Sequence, residues 1–170
     1  KIDGGHSLKG EITPQGAKNE ALQVICSVLL TSEKVTLSNV PDILDVNRLI
    51  SILQNIGVKV KKNKPGEYLF QANKIDKNYL DSPEFKEKAK GLRGSVMLVG
   101  PLLARFGKGC IPRPGGDKIG RRRLDTHFEG LKALGSNFSY DKDDHFFTVE
   151  TDKLHGANIL LDEASVTGTA

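Results

Sequence analysis

One arrangement of helix and strand signals occurs twice in this chain, and it restricts the possible folds more than any other feature. Residues 49–71 and residues 128–149 each begin with an apolar helical pattern, pass through a glycine, and end in two alternating segments around a polar turn. Gly57 and Gly135 stand where the end of a helix often becomes left-handed, and alternation with period two is typical of strands. Each copy therefore predicts a helix followed by a two-stranded hairpin.

A second similarity extends this repeat towards both ends of the chain. Residues 8–12, Leu-Lys-Gly-Glu-Ile, resemble residues 154–159, Leu-His-Gly-Ala-Asn-Ile, and a segment of small residues follows each of them. The chain thus holds two units of roughly 75 residues and the opening of a third. Because it stops at Ala170, where an apolar helix is expected to begin, we expect it to be a fragment of a longer protein.

Further helices are predicted from apolar periodicity. Residues 17–30 are apolar nearly all round, which predicts a buried helix, and residues 46–56 form one apolar helical face with Asp45 as N-cap. The apolar pattern at 85–103 predicts a longer helix, and the segment 82–84 before it has the composition of a helix start, with Ser82 as the cap residue. Glycines within the pattern could break this helix into two pieces. Helices that alternate with strands and hairpins place the chain in the α/β (α+β) class.

Composition excludes several classes of protein. Of the 170 residues, 38% are hydrophobic and 27% are charged, as in globular domains. The sequence contains no apolar run long enough to span a membrane and no apolar signal core at its start, so we expect neither a membrane partner nor secretion. Cys26 and Cys110 lie in apolar surroundings without metal-ligand spacing, which indicates buried thiols in a reducing cytosol and no metal site.

The segment 105–123 carries the strongest chemical signal. It holds seven Lys or Arg residues and a single acid, Asp117, in a glycine-rich loop. Guanidinium groups match phosphate oxygens, and Gly115 and Gly116 permit a mobile lid. The loop therefore indicates an enzyme that acts on phosphorylated substrates with Asp117 as general acid, and an ordinary solvated basic turn is the alternative.

Three other polar residues are candidates for a binding site. Lys18 and Asn19 open the first predicted helix, where an ammonium group and backbone N–H groups could hold an anion; a solvated surface lysine fits equally well. Arg93 lies between two glycines on an apolar stretch and could contact a ligand or cover apolar surface with its alkyl stem. Asp125 has a structural interpretation, as N-cap of a helix predicted at 125–134.

Four segments of the chain resemble one family of enzymes. They are residues 8–19, 37–41, 100–107 and 114–120, which read LKGEITPQGAKN, LSNVP, GPLLARFG and PGGDKIG. In this order they resemble the UDP-N-acetylglucosamine 1-carboxyvinyltransferases of the enolpyruvyl transferase superfamily. The resemblance covers the whole chain, in register with the N-terminal two-fifths of that family.

The resemblance implies an inside-out α/β barrel. Each of two domains in that fold is built from three βαβαββ units, which agrees with the repeat described above. Residues 1–17 would be an N-terminal strand segment of the domain that the missing C-terminal part completes. Residues 18–170 would form two repeat units, and the start of a third, of the other domain.

The resemblance also implies a reaction. It transfers the enolpyruvyl group of phosphoenolpyruvate to the 3-hydroxyl of UDP-N-acetylglucosamine and releases phosphate, the first committed step of peptidoglycan synthesis in the bacterial cytoplasm. No metal or organic cofactor is implied, and the expected partners are the two substrates and the missing C-terminal part of the same chain. Because that part supplies a carboxylate near the sugar hydroxyl and a further arginine, we expect the chain alone to have no turnover.

Site residues follow from the resemblance position by position. Lys18 and Asn19 match positions that contact phosphoenolpyruvate, and Arg93 matches a contact of the UDP-sugar. Two further segments match contacts of the nucleotide and its phosphates: Arg122, Arg123, Leu124, Asp125 and Thr126 in the first, and Glu163, Ser165 and Val166 in the second.

Three positions depart from the pattern of the family. Asp117 stands where most members have cysteine; a carboxylic acid can protonate the enolpyruvyl methylene but cannot form a stable thioether with an epoxide. The resemblance therefore implies resistance to fosfomycin. Glu163 stands where a lysine is common, which weakens the expectation of a nucleotide contact there, and Arg123 stands where a proline is common.

Two alternatives remain. The shikimate-pathway enolpyruvyl transferases share the implied architecture but lack this Pro-Gly-Gly loop. The arginine run at 121–123 would suit a nucleic-acid-binding module, but such modules usually interleave aromatic residues with the charge. Since no Phe, Tyr or Trp lies between Phe106 and Phe128, we expect no nucleic acid partner.

Overall fold

Helices and strands alternate along the chain, as a mixed α/β class requires. The computed structural model describes residues 3–112, 124–143, 145–162 and 164. Its α-helices are α1 (Lys18–Ser27), α2 (Leu44–Asn55), α3 (Pro83–Lys90), α4 (Val99–Phe106) and α5 (Asp125–Ala133). Its strands are β1 (Lys34–Leu37), β2 (Lys59–Lys64), β3 (Glu67–Gln71), β4 (Lys108–Pro112), β5 (Asn137–Asp141) and β6 (Phe146–Glu150). Short 3-10 helices occupy Val28–Leu30, Lys77–Asp81 and Arg93–Leu98.

The strands form two three-stranded antiparallel sheets of identical order. In the first sheet β3 lies between β1 and β2, and in the second β6 lies between β4 and β5. The last residue of each central strand, Gln71 or Glu150, faces the first residue of both neighbouring strands. The repeat of a helix and a hairpin predicted from the sequence is therefore confirmed, and the two units also share their strand order and register.

The two predicted glycine turns are also confirmed. Gly57 follows α2 with φ 107°, and Gly135 follows α5 with φ 97°, a region that side chains with a Cβ atom rarely adopt. In both units the residue after the glycine donates its N–H to a carbonyl near the end of the preceding helix, at 2.9 or 3.0 Å. In each repeat unit, this turn leads the backbone from the helix into the hairpin.

The long helix predicted at 85–103 is divided into three helical pieces. Its start is as predicted: the Ser82 hydroxyl accepts a hydrogen bond from the Phe85 N–H at 3.1 Å and caps α3. After α3, Leu92 adopts an extended conformation and is buried, so the chain leaves the helix, continues as a 3-10 helix and resumes as α4. Gly107, with φ 71°, ends α4.

The prediction that the helix at 17–30 is buried all round is wrong on one side. Helix α1 and the 3-10 helix after it bury Leu22, Ile25, Cys26, Val28 and Leu29. On the opposite side Val24 is 41% exposed and Leu30 is 53% exposed. No described element covers that side, so apolar surface faces solvent there.

The hydrophobic core joins the two repeat units into one packed body. Its largest cluster includes residues of α1, α2, α3 and both sheets. Phe85 of α3 meets Phe146 of β6 edge to face, with 6.2 Å between ring centroids, which is a favourable geometry for two aromatic rings. A smaller cluster of Val99, Leu103, Ile111 and Val149 lies between α4 and the second sheet.

The segments at both ends of the described chain lack helix and strand. Residues 3–17 and 151–162 are mostly exposed, with Leu8 at 94%, Ile12 at 93% and Leu160 at 97%. The assignment of residues 1–17 to a separate domain stays a prediction. Within the described ranges, no helix has both the length and the apolar character that crossing a bilayer requires.

Candidate functional site

A cleft of about 210 Å³ opens where the first turns of α1 and α2 meet the 3-10 helix that begins at Arg93. Its polar lining consists of Lys18, Asn19, Gln23, Asp45, Arg93 and His127. Its remaining lining consists of Leu22, Gly94, Val96, Met97 and Leu124. Four residues that the sequence predicted to bind substrates, namely Lys18, Asn19, Arg93 and Leu124, are therefore brought together in one cleft.

Lys18 and Asn19 reach this cleft because they form the exposed first turn of an otherwise anchored helix. The N-cap residue Ala17 is extended (φ −69°, ψ 127°) and provides no side-chain cap to the helix. One turn further on, Leu22 and Ile25 are buried in the core. The apolar face thus fixes the helix, and its N-terminal end carries the two polar side chains to the surface.

The ammonium group of Lys18 is held by a carboxylate from another helix. Lys18 Nζ donates a hydrogen bond to Asp45 Oδ2 at 3.0 Å, with side chains that are 51% and 35% exposed. Asp45 was predicted to cap α2, and this prediction is wrong because the helix begins one residue earlier, with Ile43 as its N-cap. Asp45 instead lies in the first turn of α2 and points its carboxylate at Lys18.

Arg93 enters the cleft from the 3-10 helix Arg93–Leu98. The preceding Leu92 is buried, and the buried Ser95 hydroxyl donates to the Ala89 carbonyl at 3.0 Å, which ties this helix to the end of α3. A Cβ atom on Gly94 would lie 3.0 Å from a methyl carbon of Leu22. The glycine therefore lets the 3-10 helix approach α1 closely enough for Arg93 and Lys18 to share one cleft.

Asp125 and Thr126 open α5 but do not line this cleft. The N-cap position belongs to Leu124, so the prediction that Asp125 caps this helix is wrong; the helix begins at Asp125 itself. Thr126 is 1% exposed, and its Oγ1 has no hydrogen-bond partner among the described residues. It lines a neighbouring groove instead.

That second groove is larger and mostly apolar. It has a volume of about 630 Å³ and lies between α1, α4 and α5. Its apolar lining includes Leu30, Met97, Pro101, Leu131, Leu134, Ile159 and Leu161. Gln23, Val96, Met97 and His127 line both cavities, so the groove and the polar cleft are adjacent. A surface of this composition suits apolar side chains better than a charged substrate.

Six predicted site residues lie outside the described part of the chain. These are Asp117, Arg122, Arg123, Glu163, Ser165 and Val166. The described residues end at Pro112 of β4 and continue from Leu124, which lines the cleft. The residue that follows the cationic loop is thus a wall of the cleft.

Asp45 and His127 were not predicted to belong to a site, although both line the cleft. His127 lies three residues after Leu124, and its backbone N–H donates a hydrogen bond to the Leu124 carbonyl at 3.0 Å. Residues three apart share a helix face, so its spacing from Leu124 could have indicated it. The ion pair of Asp45 with Lys18 joins two different helices. Sequence periodicity describes one helix at a time and does not predict a contact between two.

Neither cysteine can serve as a nucleophile at neutral pH. Burial raises the pKa of the Cys26 thiol far above its usual range and raises the pKa of Cys110 to about 12. Since the thiolate is the reactive form, both residues remain unreactive thiols. No group of three or more His, Cys, Asp or Glu residues in the described part of the chain could hold a metal ion.

Comparison with known proteins gives a consistent result. The chain is 58% identical over 169 residues to a UDP-N-acetylglucosamine 1-carboxyvinyltransferase from Bacteroides thetaiotaomicron and 56% identical to that from Porphyromonas gingivalis, with 99% of this chain covered in each case. It spans 39% of the length of both relatives. The resemblance inferred from the motifs is thereby confirmed.

Solved structures confirm the fold class. The enolpyruvyl transferase NikO from Streptomyces tendae matches with a TM-score of 0.70 at 18% identity, over 89% of this chain and 32% of that one. Residues 2–170 match the family model described as EPSP synthase (3-phosphoshikimate 1-carboxyvinyltransferase). From one end to the other, therefore, the chain belongs to the EPSP synthase family of 1-carboxyvinyltransferases.

Proposed function

We propose that this chain is the N-terminal part of a UDP-N-acetylglucosamine 1-carboxyvinyltransferase. The complete enzyme would transfer the enolpyruvyl group of phosphoenolpyruvate to the 3-hydroxyl of UDP-N-acetylglucosamine and release phosphate, in the bacterial cytoplasm. The observation that carries the proposal is the cleft in which Lys18, Asn19, Arg93 and Leu124 meet. Relatives of that name are 56% and 58% identical to this chain, which supports the same assignment.

The charge of the cleft supports an anionic substrate. Lys18 and Arg93 offer an ammonium and a guanidinium group, and α1 directs the positive end of its dipole towards the same opening. Phosphoenolpyruvate carries a phosphate and a carboxylate, so two cations and the first-turn N–H groups of α1 match its charge. Guanidinium groups bind such oxyanions with paired hydrogen bonds.

In the proposed reaction a proton and a sugar oxygen add across one double bond. Asp117, as a carboxylic acid, gives its proton to C3 of the enol while the 3-hydroxyl oxygen bonds to C2 and loses its own proton to a base. In the second step the bond between C2 and the phosphate oxygen breaks, C3 returns a proton, and phosphate leaves. An acid in this role must be protonated when substrate is bound, and a neighbouring anion favours that form.

The remaining predicted residues have defined tasks in this proposal. Arg122 and Arg123 precede Leu124, a residue of the cleft wall, and would neutralise phosphate groups there. Asp125 would contact the nucleotide, as would Glu163, Ser165 and Val166. The Thr126 side chain is buried and lines the apolar groove, so a nucleotide contact of this residue would have to come from its backbone. The base and a further arginine would come from the C-terminal part of the longer protein, so we expect no turnover by residues 1–170 alone.

A domain arrangement accompanies this proposal. Residues 1–17 would add a strand to the domain that the C-terminal part forms, which agrees with the high exposure of Leu8 and Ile12. Residues 18–170 would belong to the other domain, and the apolar groove between α1, α4 and α5 would be covered by its third repeat unit. The exposed Leu30, which lines this groove, would then be buried.

Transfer to shikimate 3-phosphate is the second candidate, because the matching family model bears that name. The high identity to relatives named for the UDP-sugar reaction favours the first candidate. A coupled phosphate-release assay on the full-length protein distinguishes them. We expect phosphate release with phosphoenolpyruvate and UDP-N-acetylglucosamine, and none with shikimate 3-phosphate. Loss of release in Asp117→Ala would support the acid; an unchanged rate would remove Asp117 from the mechanism.

A further inference from the structure

We propose that Asp45 is a positioning residue that holds the ammonium group of Lys18 ready for an anionic substrate. This inference rests on the proposed function, because it assigns a task to a second residue of the same cleft. Asp45 would act through Lys18 and would make no contact with substrate itself. Its carboxylate lies 3.0 Å from Lys18 Nζ, and both residues line the cleft with Arg93.

The surroundings of Asp45 make it a firm support. Asp45 lies in the first turn of α2, and this turn is anchored by Val46 and Leu49, which are fully buried. An aspartate side chain has only two rotatable bonds, whereas a lysine has four and loses much rotamer freedom when it is fixed. The ion pair therefore orders the flexible Lys18 side chain before the substrate binds. Groups that are already ordered bind a ligand more tightly, because less conformational entropy is lost on binding.

A purely structural role explains the pair less well. Both side chains are substantially exposed, and exposed ion pairs add little to the free energy of unfolding. Asp45 is not the N-cap of α2, which is Ile43. An ammonium at the N-terminus of α1 is itself unfavourable, because the helix dipole is positive there. The carboxylate of Asp45 offsets this cost. A lysine at this position therefore has a clear use only if its ammonium group binds an anionic ligand.

The geometry leaves Lys18 able to serve a ligand. An ammonium group has three N–H donors, and Asp45 uses one of them at 3.0 Å. The remaining donors stay on the side of the ammonium group away from Asp45. A bound anion on that side would be separated from the carboxylate by the ammonium group, so attraction to Lys18 exceeds repulsion from Asp45.

The test compares variants of the full-length protein. Asp45→Asn keeps the shape of the side chain but removes its charge, and Asp45→Glu keeps the charge. Glu84→Gln is the matched control, since it breaks an exposed ion pair with Lys88 at 2.7 Å that does not line the cleft. The measurements are kcat, KM for phosphoenolpyruvate, and binding of phosphoenolpyruvate and inorganic phosphate by calorimetry.

We expect Asp45→Asn to raise KM for phosphoenolpyruvate and its dissociation constant about fivefold, with a smaller change in kcat and an unchanged melting temperature. Asp45→Glu should restore most of the loss, and Glu84→Gln should have no effect. In a Lys18→Met background Asp45→Asn should change binding no further, because the two residues act as one unit.

Three results would overturn the inference. They are an unchanged or lower dissociation constant in Asp45→Asn, an equal effect in the Lys18→Met background, and an effect of Glu84→Gln of the same size. Failure of the proposed function gives a different result, since the wild-type protein would then release no phosphate with UDP-N-acetylglucosamine. Calorimetry with inorganic phosphate still tests Asp45 in that case, and a wild type that binds no anion would also contradict the inference.

Discussion

Gly16 lies so close to the backbone of Asn39 that a Cβ atom at residue 16 would overlap the Asn39 carbonyl oxygen. Asn39 has a left-handed backbone with φ 57°, and the Gln15 side chain accepts a hydrogen bond from the Asp42 N–H at 3.2 Å. These contacts fix the chain just before α1 against the turn that leads into α2. They therefore set the position from which Lys18 enters the cleft.

The first prediction follows from this contact. Gly16→Ala should lower the free energy of unfolding by about 2 kcal/mol, because the added methyl group can fit only if the backbone of one segment moves. Gly100→Ala is the control, since it lies in α4 with no atom within 4 Å of the added Cβ, and a helical alanine is favoured over glycine. Urea unfolding of both variants provides the measurement; equal stability of the two would contradict the contact.

Arg105 is the subject of the second prediction, because it connects the two repeat units. Its Nη1 atom lies 2.9 Å from each of three carbonyl oxygens, those of Leu29, Thr31 and Ala72. Arg105→Met would leave these half-buried acceptors without their donor. We therefore expect the free energy of unfolding, measured by urea unfolding, to fall by about 2–3 kcal/mol. The control, Arg48→Met, removes an exposed hydrogen bond of 3.3 Å to the Gly91 carbonyl and should lower the free energy of unfolding by about 0.5 kcal/mol or less.

The features predicted correctly from the sequence are those that local chemistry determines. Gly57 and Gly135 end their helices because a left-handed residue is required there, and Ser82 caps α3 because its hydroxyl can reach an N–H three residues away. Such signals lie within a few residues of the structure that they determine. The hairpins β2–β3 and β5–β6 are predicted by the same local signals.

The features that were missed depend on contacts between distant segments. Asp45 appeared to be a helix cap, but α2 begins at Leu44, one residue before it, and its carboxylate pairs with Lys18 of another helix. The exposure of one side of α1 likewise depends on which elements are near it, and residues 17–30 alone do not contain that information. Local sequence thus predicted elements, whereas the composition of the cleft required their assembly.

The third prediction concerns stability at alkaline pH. Burial raises the pKa of the Cys110 thiol from its usual 9.0 to about 12, so between these values the folded state binds more protons than the unfolded state. The free energy of unfolding must then fall as the pH rises through this range. Cys110→Ala should make this decrease smaller, and the part caused by the buried Cys26 thiol should remain; urea unfolding at a series of pH values would measure both.

Thiol labelling provides an independent check of the same burial. At about pH 8 the thiolate fraction of Cys110 should be roughly a thousandfold below that of an exposed cysteine, and Cys26 should be equally protected. Iodoacetamide should therefore label neither residue in the native protein and both in urea. Rapid native labelling would show that the thiols are accessible and would remove the basis of the pH prediction.

The last prediction concerns fosfomycin, an epoxide that the family resemblance implies would bond to a cysteine at the position of Asp117. Asp117 replaces that cysteine in this sequence, and the two cysteines of the chain are buried. A carboxylate forms no stable thioether, so we expect the full-length enzyme to retain its phosphate-release activity after incubation with fosfomycin.

Asp117→Cys should retain turnover and become sensitive to fosfomycin, with a mass increase equal to one inhibitor molecule. Asp117→Ser tests whether the thiol itself is required, because it introduces a small polar side chain without sulfur. Equal inhibition of the wild type and Asp117→Cys would mean that the reactive group lies elsewhere, and Asp117 would then lose its place at the reacting carbon.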